Sequence, residues 1–323
     1  MQKRVIPYIL SILLLLSSTS LFARLSEPVS LPDSVKTWKY TGLTSLSFSQ
    51  NSLSNWAEGG ENSLAGTAYL VLNAAKNTKT LLIEHQLNLA YGIMQLEGKK
   101  LRKTDDKIEL FSSFGIKSTG NWQYTSQINF KTQFSDGFKY PDDSTVISTF
   151  MAPGYLTASI GIQYKKWEYF TLFLSPASGK FTFVLDQTLA NQGAFGVTKA
   201  TYDTAGNIIQ EGRNIKPEFG ININARFKKE IFKNVNVDSR LQLYNNYLDE
   251  NQKNRWNIDV NFETMLNFQI NKFLSSTIRF QVIYDHNIMI PRYEEENNVK
   301  IKTGEGPGTQ FKQSLGIGLS YKF

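Results

Sequence analysis

Three observations predict an all-β protein, an antiparallel transmembrane up-and-down β-barrel of about twelve strands. Twelve segments alternate apolar and polar residues with a period of two. The connections between them alternate short and long. A hydrophobic share of 41% comes with a mean hydropathy of -0.30. That composition is too polar for a bundle of membrane helices, whereas a barrel needs only every second strand residue to be apolar.

The closing stretch TQFKQSLGIGLSYKF shows the pattern best. Phe311, Gln313, Leu315, Ile317, Leu319, Tyr321 and Phe323 share one face; Lys312, Ser314, Gly316, Gly318, Ser320 and Lys322 share the other. Successive strand side chains point to opposite sides. An apolar edge strand ending in an aromatic invites pairing with other chains in a soluble sheet, but a closed barrel has no edge.

The chain divides into a signal peptide at 1–23, a periplasmic lead-in at 24–40 and a barrel at 41–323. Lys3 and Arg4 precede the apolar run VIPYILSILLLL and the small-residue end SSTSLFA, the pattern of a cleaved secretory signal. The apolar core is too short to span a bilayer comfortably. Cleavage is expected after Ala23, with Ser20 as the other option. Losing Lys3 and Arg4 lowers the formal charge from +7 by two, to +5. Cysteine is absent, so no disulfide framework, thiolate metal site or lipoprotein anchor is available. The lead-in carries Pro28 and Pro32 and has no period.

Thr41–Gln50 and Ser63–Asn73 are the first two segments. Thr80–Ile93 sets Leu81, Ile83, Leu87 and Leu89 against Glu84, Gln86 and Asn88. Asp105–Lys117 opposes Ile108, Leu110 and Phe114 to Lys107, Glu109 and Ser113, and Asn121–Phe134 is the most regular of the set. Tyr155–Lys165 and the more apolar Glu168–Ser175 follow. After a long irregular stretch come Glu218–Lys228, Val235–Tyr247, Asn257–Ile270, Leu274–His286 and Thr309–Phe323. Most are near the roughly 9–11 residues of a tilted membrane strand.

The connections give an independent test. AAKNTK, STG, KW, KEIFKN and NKF are short; those after odd-numbered segments are mostly long and polar, the longest being Pro176–Pro217. Short periplasmic turns and long extracellular loops produce this rhythm and place both termini in the periplasm. Lys180–Gln187, paired with Ala194–Tyr202, is an alternative extra hairpin that would make fourteen strands. A soluble sandwich or lipocalin-like barrel is the competing fold, but it would turn the wide apolar faces inward.

The polar faces collect Glu84, Lys107, Glu109, Lys131, Arg226, Asp238, Arg240, Asp259, Glu263, Arg279, Asp285 and Lys312 as candidate lumen charges. Buried charges need partners, so mixed signs favour internal salt bridges, where a ring of one sign would favour ion selectivity. Tyr91, Trp122, Tyr124, Tyr155, Tyr164, Trp167, Tyr284 and Tyr321 fit interfacial aromatic girdles. The first loop carries Asn55, Trp56, Gly59 and Gly60, read either as a gating element or as a loop tucked against the wall by its tryptophan.

Catalysis has little support. His85 lies on an apolar parity and His286 near a strand end, and neither strand supplies a converging acid and nucleophile. A paired-carboxylate site stays open, since acids are plentiful on the polar faces. Asp142–Ser144 and Glu294–Asn297 are acidic but lack ordered metal-ligand spacing. No catalytic residue, cofactor or metal is expected, and no phosphate loop or nucleic-acid patch occurs.

NWAEGG in the first loop, the SPASGK and GAFGV motifs and the closing LGIGLSYKF resemble one family, the outer-membrane barrels of Bacteroidota-type bacteria known as domain of unknown function 3078. The resemblance covers roughly Trp38 to Phe323. It implies a barrel in the outer membrane and carries over no catalytic residues. It also implies that Phe323 belongs to the signal read by the outer-membrane insertion machinery. The expected partners are outer-membrane lipid and lipopolysaccharide, that machinery, and an unidentified protein reached through the loops. The leading function is a narrow channel or transport-associated barrel for small solutes. A structural or assembly barrel comes second and a barrel hydrolase third.

Overall fold

The computed structural model describes residues 38–52, 62–249, 251–296 and 299–323. The expected signal peptide, the expected lead-in up to residue 37 and the loop residues Asn55, Trp56, Gly59 and Gly60 lie outside them.

The chain forms β1 (Lys39–Asn51), β2 (Ser63–Asn77), β3 (Leu81–Leu96), β4 (Arg102–Lys117) and β5 (Trp122–Thr132). The short β6 (Gly137–Phe138) and β7 (Val146–Ser148) precede β8 (Gly154–Trp167) and β9 (Phe170–Phe183). A five-residue helix, α1 (Gln187–Asn191), leads to β10 (Thr201–Tyr202) and β11 (Ile208–Gln210). Then come β12 (Ile215–Phe232), β13 (Val235–Asn246), β14 (Asp259–Gln269) and β15 (Leu274–Tyr284). The hairpin β16 (Met289–Glu296) and β17 (Val299–Pro307) precedes the closing β18 (Gln310–Lys322).

Twelve of these strands close into one antiparallel barrel in the order β1-β18-β15-β14-β13-β12-β9-β8-β5-β4-β3-β2. The other six form three two-stranded hairpins within the long connections. Closure joins β1 to β18 from Leu43↔Lys322 to Phe48↔Ile317. It is completed by Gly42 and Phe323, whose backbones exchange hydrogen bonds of 2.7 and 3.0 Å. The Phe323 ring fills the space a Cβ on Gly42 would need.

The barrel is inside out relative to a soluble one. Phe311, Leu315, Ile317, Leu319, Tyr321 and Phe323 of the closing strand stand exposed, while Gln86, Gln127, Gln163, Asn222 and Asn267 are buried. Large apolar side chains outside and amides inside are what a bilayer selects.

Several strands run a few residues past their expected limits, and β9 departs farthest. β9 continues to Phe183, eight residues past the expected end at Ser175, so Lys180 belongs to the wall. The fourteen-strand alternative therefore fails: residues 180–183 prolong β9, and residues 194–202 contain a 3-10 turn and the two-residue β10. The cause is a β-bulge. Register shifts by one residue between Ile160↔Ala177 and Ile162↔Leu174, and again on the β12 side between Gly220↔Ser178 and Asn222↔Ser175. Pro176 has no N–H for a ladder, and a bulge is where a strand tolerates it. The Ser175 hydroxyl lies 2.8 Å from the Ile160 carbonyl oxygen and 2.9 Å from that of Ala177. Gly161 makes room, because a Cβ there would collide with the Leu174 carbonyl.

Candidate functional site

The lumen has a turn end, where the strand termini and short turns lie, and a loop end. Period two aims every second residue inward, and strand order decides which of these meet.

At the turn end lies a cavity of about 540 Å³. Carboxamides are prominent in its wall, among them Gln86 from β3, Gln127 from β5, Gln163 from β8, Asn222 and Asn224 from β12, and Gln242 from β13. Asn224 Nδ2 donates to Gln127 Oε1 at 3.1 Å, and Gln127 Nε2 donates to Gln163 Oε1 at 3.3 Å. Asn222 Nδ2 donates to Ser159 Oγ at 3.1 Å. The charges beside these amides are paired. Lys165 reaches Glu84 at 2.7 Å, and Arg226 grips Asp238 through Nε at 3.0 Å and Nη2 at 2.7 Å. Arg240 donates to Gln86 Oε1 at 2.9 Å from the opposite wall.

A septum of ion pairs crosses the next level. Lys107 of β4 contacts Glu109 at 2.9 Å and Glu263 of β14 at 3.1 Å. These two strands stand six places apart in the ring of twelve, so the Lys107–Glu263 pair spans the full width. Lys131 approaches Glu263 at 3.7 Å. Amides complete both carboxylates: Asn88 donates to Glu109 at 2.9 Å and Gln281 to Glu263 at 2.7 Å.

Toward the loop end the pairing becomes asymmetric. Lys180 faces three carboxylates, Asp259 at 2.9 Å, Asp285 at 3.3 Å and Glu218 at 3.6 Å. It also lies 5.1 Å from the Tyr244 ring centre. Tyr155, expected in an outer girdle, instead stands among these charges, on the inward parity of β8. Elsewhere in the lumen Lys312 meets Asp105 at 2.7 Å, Tyr69 donates to Asp105 at 2.7 Å, and Arg279 lies over the Tyr69 ring.

Above the strands, residues 184–214 fold on a small apolar cluster of Val184, Leu189, Ala190 and Val197 with Ala152 from the preceding connection. Asp186 caps α1 by accepting from the Leu189 amide at 2.9 Å. The segment reaches the connection after β15: a Cβ on Gly196 would sit 3.1 Å from the Asn287 Cβ.

Each of the twelve expected lumen charges thus touches another lumen group. Sequence reading passed over Lys180, Glu218, Lys165, Asp105 and Tyr69. Parity alone points to four of these, since Asp105 shares its face with Lys107 and Glu218 with Asn222; Lys180 was hidden by the bulge. Neither imidazole ring is paired with a carboxylate among the described residues, although the His286 backbone amide lies 3.4 Å from Asp259 Oδ1. His85 lies 2.8 Å from Ser112 Oγ and stacks on Trp38, and His286 lies 3.4 Å from the Tyr284 hydroxyl. In the loops, Asp142 accepts from the Ser144 amide at 2.8 Å and from the Thr145 hydroxyl. Its side-chain hydrogen bonds from Ser144 and Thr145 hold that carboxyl well below the usual carboxylate range. Asp203 is lowered in the same way, by Asn207.

Residues 48–138 match the family model described as "Protein of unknown function (DUF3078)", the family that the motifs resemble. No curated protein sequence matches the chain. Among solved structures, an outer membrane channel from Pseudomonas putida F1 aligns at 13% identity, covering 93% of this chain and 100% of its own, with a TM-score of 0.37. The NanC porin aligns at 10% identity over 88% and 100%, with a TM-score of 0.35. The Pseudomonas putida toluene transporter TodX aligns at 7% identity over 90% of each chain, with a TM-score of 0.28.

Proposed function

We propose that this protein is an integral outer-membrane barrel, exported by its N-terminal signal, with both termini in the periplasm, and that it serves as a narrow gated conduit for small solutes. The exposed apolar wall supports the membrane. The connections support the orientation, since the short turns share an end with the start of β1 and the close of β18. One observation carries the conduit: the polar cavity ends on a septum made of side chains. Lysine and glutamate reach across the lumen on long flexible stems, and rotamer changes in such groups take nanoseconds. A plug of backbone would have to unfold to open; this one has only to exchange partners.

The mixed signs of the septum predict weak ion selectivity. Planar-bilayer recording of the refolded protein tests the reading. Brief, rare openings are expected for the natural protein, with a higher open probability for a Lys107→Ser, Glu263→Ser double variant. If both stay sealed at every voltage the conduit is wrong, and a structural or assembly barrel acting through its loops takes its place.

A further inference from the structure

We infer that the turn-end cavity is a binding site for a neutral polyhydroxylated solute, of the class of a small saccharide. The inference rests on the conduit reading for its place in transport, and on the cavity wall for its chemistry.

The first argument is charge. Five cationic and four carboxylate side chains line the cavity, and six of these nine are in ion pairs, among them Lys165 with Glu84, Arg226 with Asp238 and Glu109 with Lys107. An anionic solute entering here would compete with Asp238, already bidentate on Arg226, and with Glu84 on Lys165, and a cationic one would compete with the lysines. Either leaves a charge unpaired in a narrow space, which is costly. A neutral solute disturbs none of these pairs.

The second argument is the amides. A carboxamide offers two N–H donors and a carbonyl acceptor without carrying charge, and a sugar hydroxyl needs both kinds of partner. Nine such groups line the cavity, from β2, β3, β5, β8, β12, β13 and β14, so a ligand would be held from several sides. Their mutual hydrogen bonds leave capacity unused. Gln163 is only 2% exposed, yet its Nε2 has no partner among the described residues. A buried amide left unsatisfied costs about 1–3 kcal/mol, so Gln163 gains if a small rotation turns its amide to a guest in the cavity it lines.

The third is shape. Phe111 and Phe173 line the same cavity from β4 and β9, putting flat apolar rings beside the amides. The volume of about 540 Å³ falls within the range of small-molecule sites and has room for a disaccharide.

Calorimetric titration of the full mature chain, refolded in an amine-oxide detergent that carries no sugar headgroup, tests this. Trehalose, maltose and lactose are the probes, with glucose 6-phosphate as the anionic comparison. Saturable millimolar binding of at least one disaccharide is expected, with glucose 6-phosphate weaker. Gln163→Leu, which keeps the volume and removes the amide, should weaken binding by roughly tenfold, the worth of one neutral hydrogen bond. Heat-modifiable migration in gels reports whether that variant folds; if it does not, Gln242→Leu takes its place with a similar loss expected. No saturation by any disaccharide up to tens of millimolar overturns the site, as does undiminished binding by the folded variant. Tighter binding of glucose 6-phosphate overturns the neutral class. Binding by a barrel that never conducts would keep the site and sink the conduit; conductance without saccharide binding would do the reverse.

Discussion

Two levels of the same lumen solve one problem in opposite ways. At the turn end, neutral groups link around open space, Asn224 to Gln127, Gln127 to Gln163 and Asn222 to Ser159. Toward the loop end, Lys107, Lys131 and Lys180 draw carboxylates from across the barrel and fill it. The contrast is one of range. A neutral hydrogen bond needs contact and is worth about 1 kcal/mol, so an amide shell can stand back from the axis. Opposite charges attract over several ångströms, and unpaired ones are penalised heavily, so an ionic shell closes.

The comparison is broken most forcefully at Lys180. Lys180→Met removes the cation shared by Asp259, Asp285 and Glu218, leaving only Lys216, 3.1 Å from Glu218, beside them. A loss of about 3 kcal/mol or more is expected, because removing one member of a buried charge cluster strands the others. Equilibrium urea unfolding in lipid vesicles, followed by tryptophan fluorescence, measures it. A change below about 1 kcal/mol would mean that water screens this level and that the two levels do not differ as argued.

Gln127→Leu is the matching cut in the amide level. It removes the hydrogen bonds to Gln163 and Asn224, at 3.3 and 3.1 Å. The same unfolding assay should register about 1 kcal/mol per bond at most. A loss equal to that of Lys180→Met would erase the distinction.

The smallest effect lies in solvent, where an acid is satisfied locally. Asp142 is held below the usual carboxylate range by Ser144 and Thr145. A depressed folded value means that the turn's stabilisation is present above the unfolded carboxylate range and is lost as pH falls through the depressed value. The amide resonances of Ser144 and Thr145 should therefore stay unchanged through the ordinary carboxylate titration and shift only in stronger acid. A shift within the ordinary range would show that the turn does not hold the charge.

The strands were legible because their signal is local. Phe311 to Phe323 alternate in plain view, and the count of twelve follows from repeating that reading along the chain. The reading failed where a local signal meant something else. Serine, proline and glycine in SPASGK look like the start of a loop, but a bulge uses the same residues to keep β9 in the wall. Lys180 was misplaced as a result, and Tyr155 was assigned to a girdle because its place near a strand end was weighed above its parity.

Alternation along the chain was enough to say which side chains face inward, because the pleat imposes it two residues at a time. Height and partner were beyond its reach. Lys107 and Glu263 stand 156 residues apart and meet because ring closure sets β4 opposite β14. Lys180 finds its three acids on β12, on β14 and just beyond β15 in the same way. Whether a run of inward polar residues encloses space or closes it depends on what stands across the lumen, and that is a property of the closed ring.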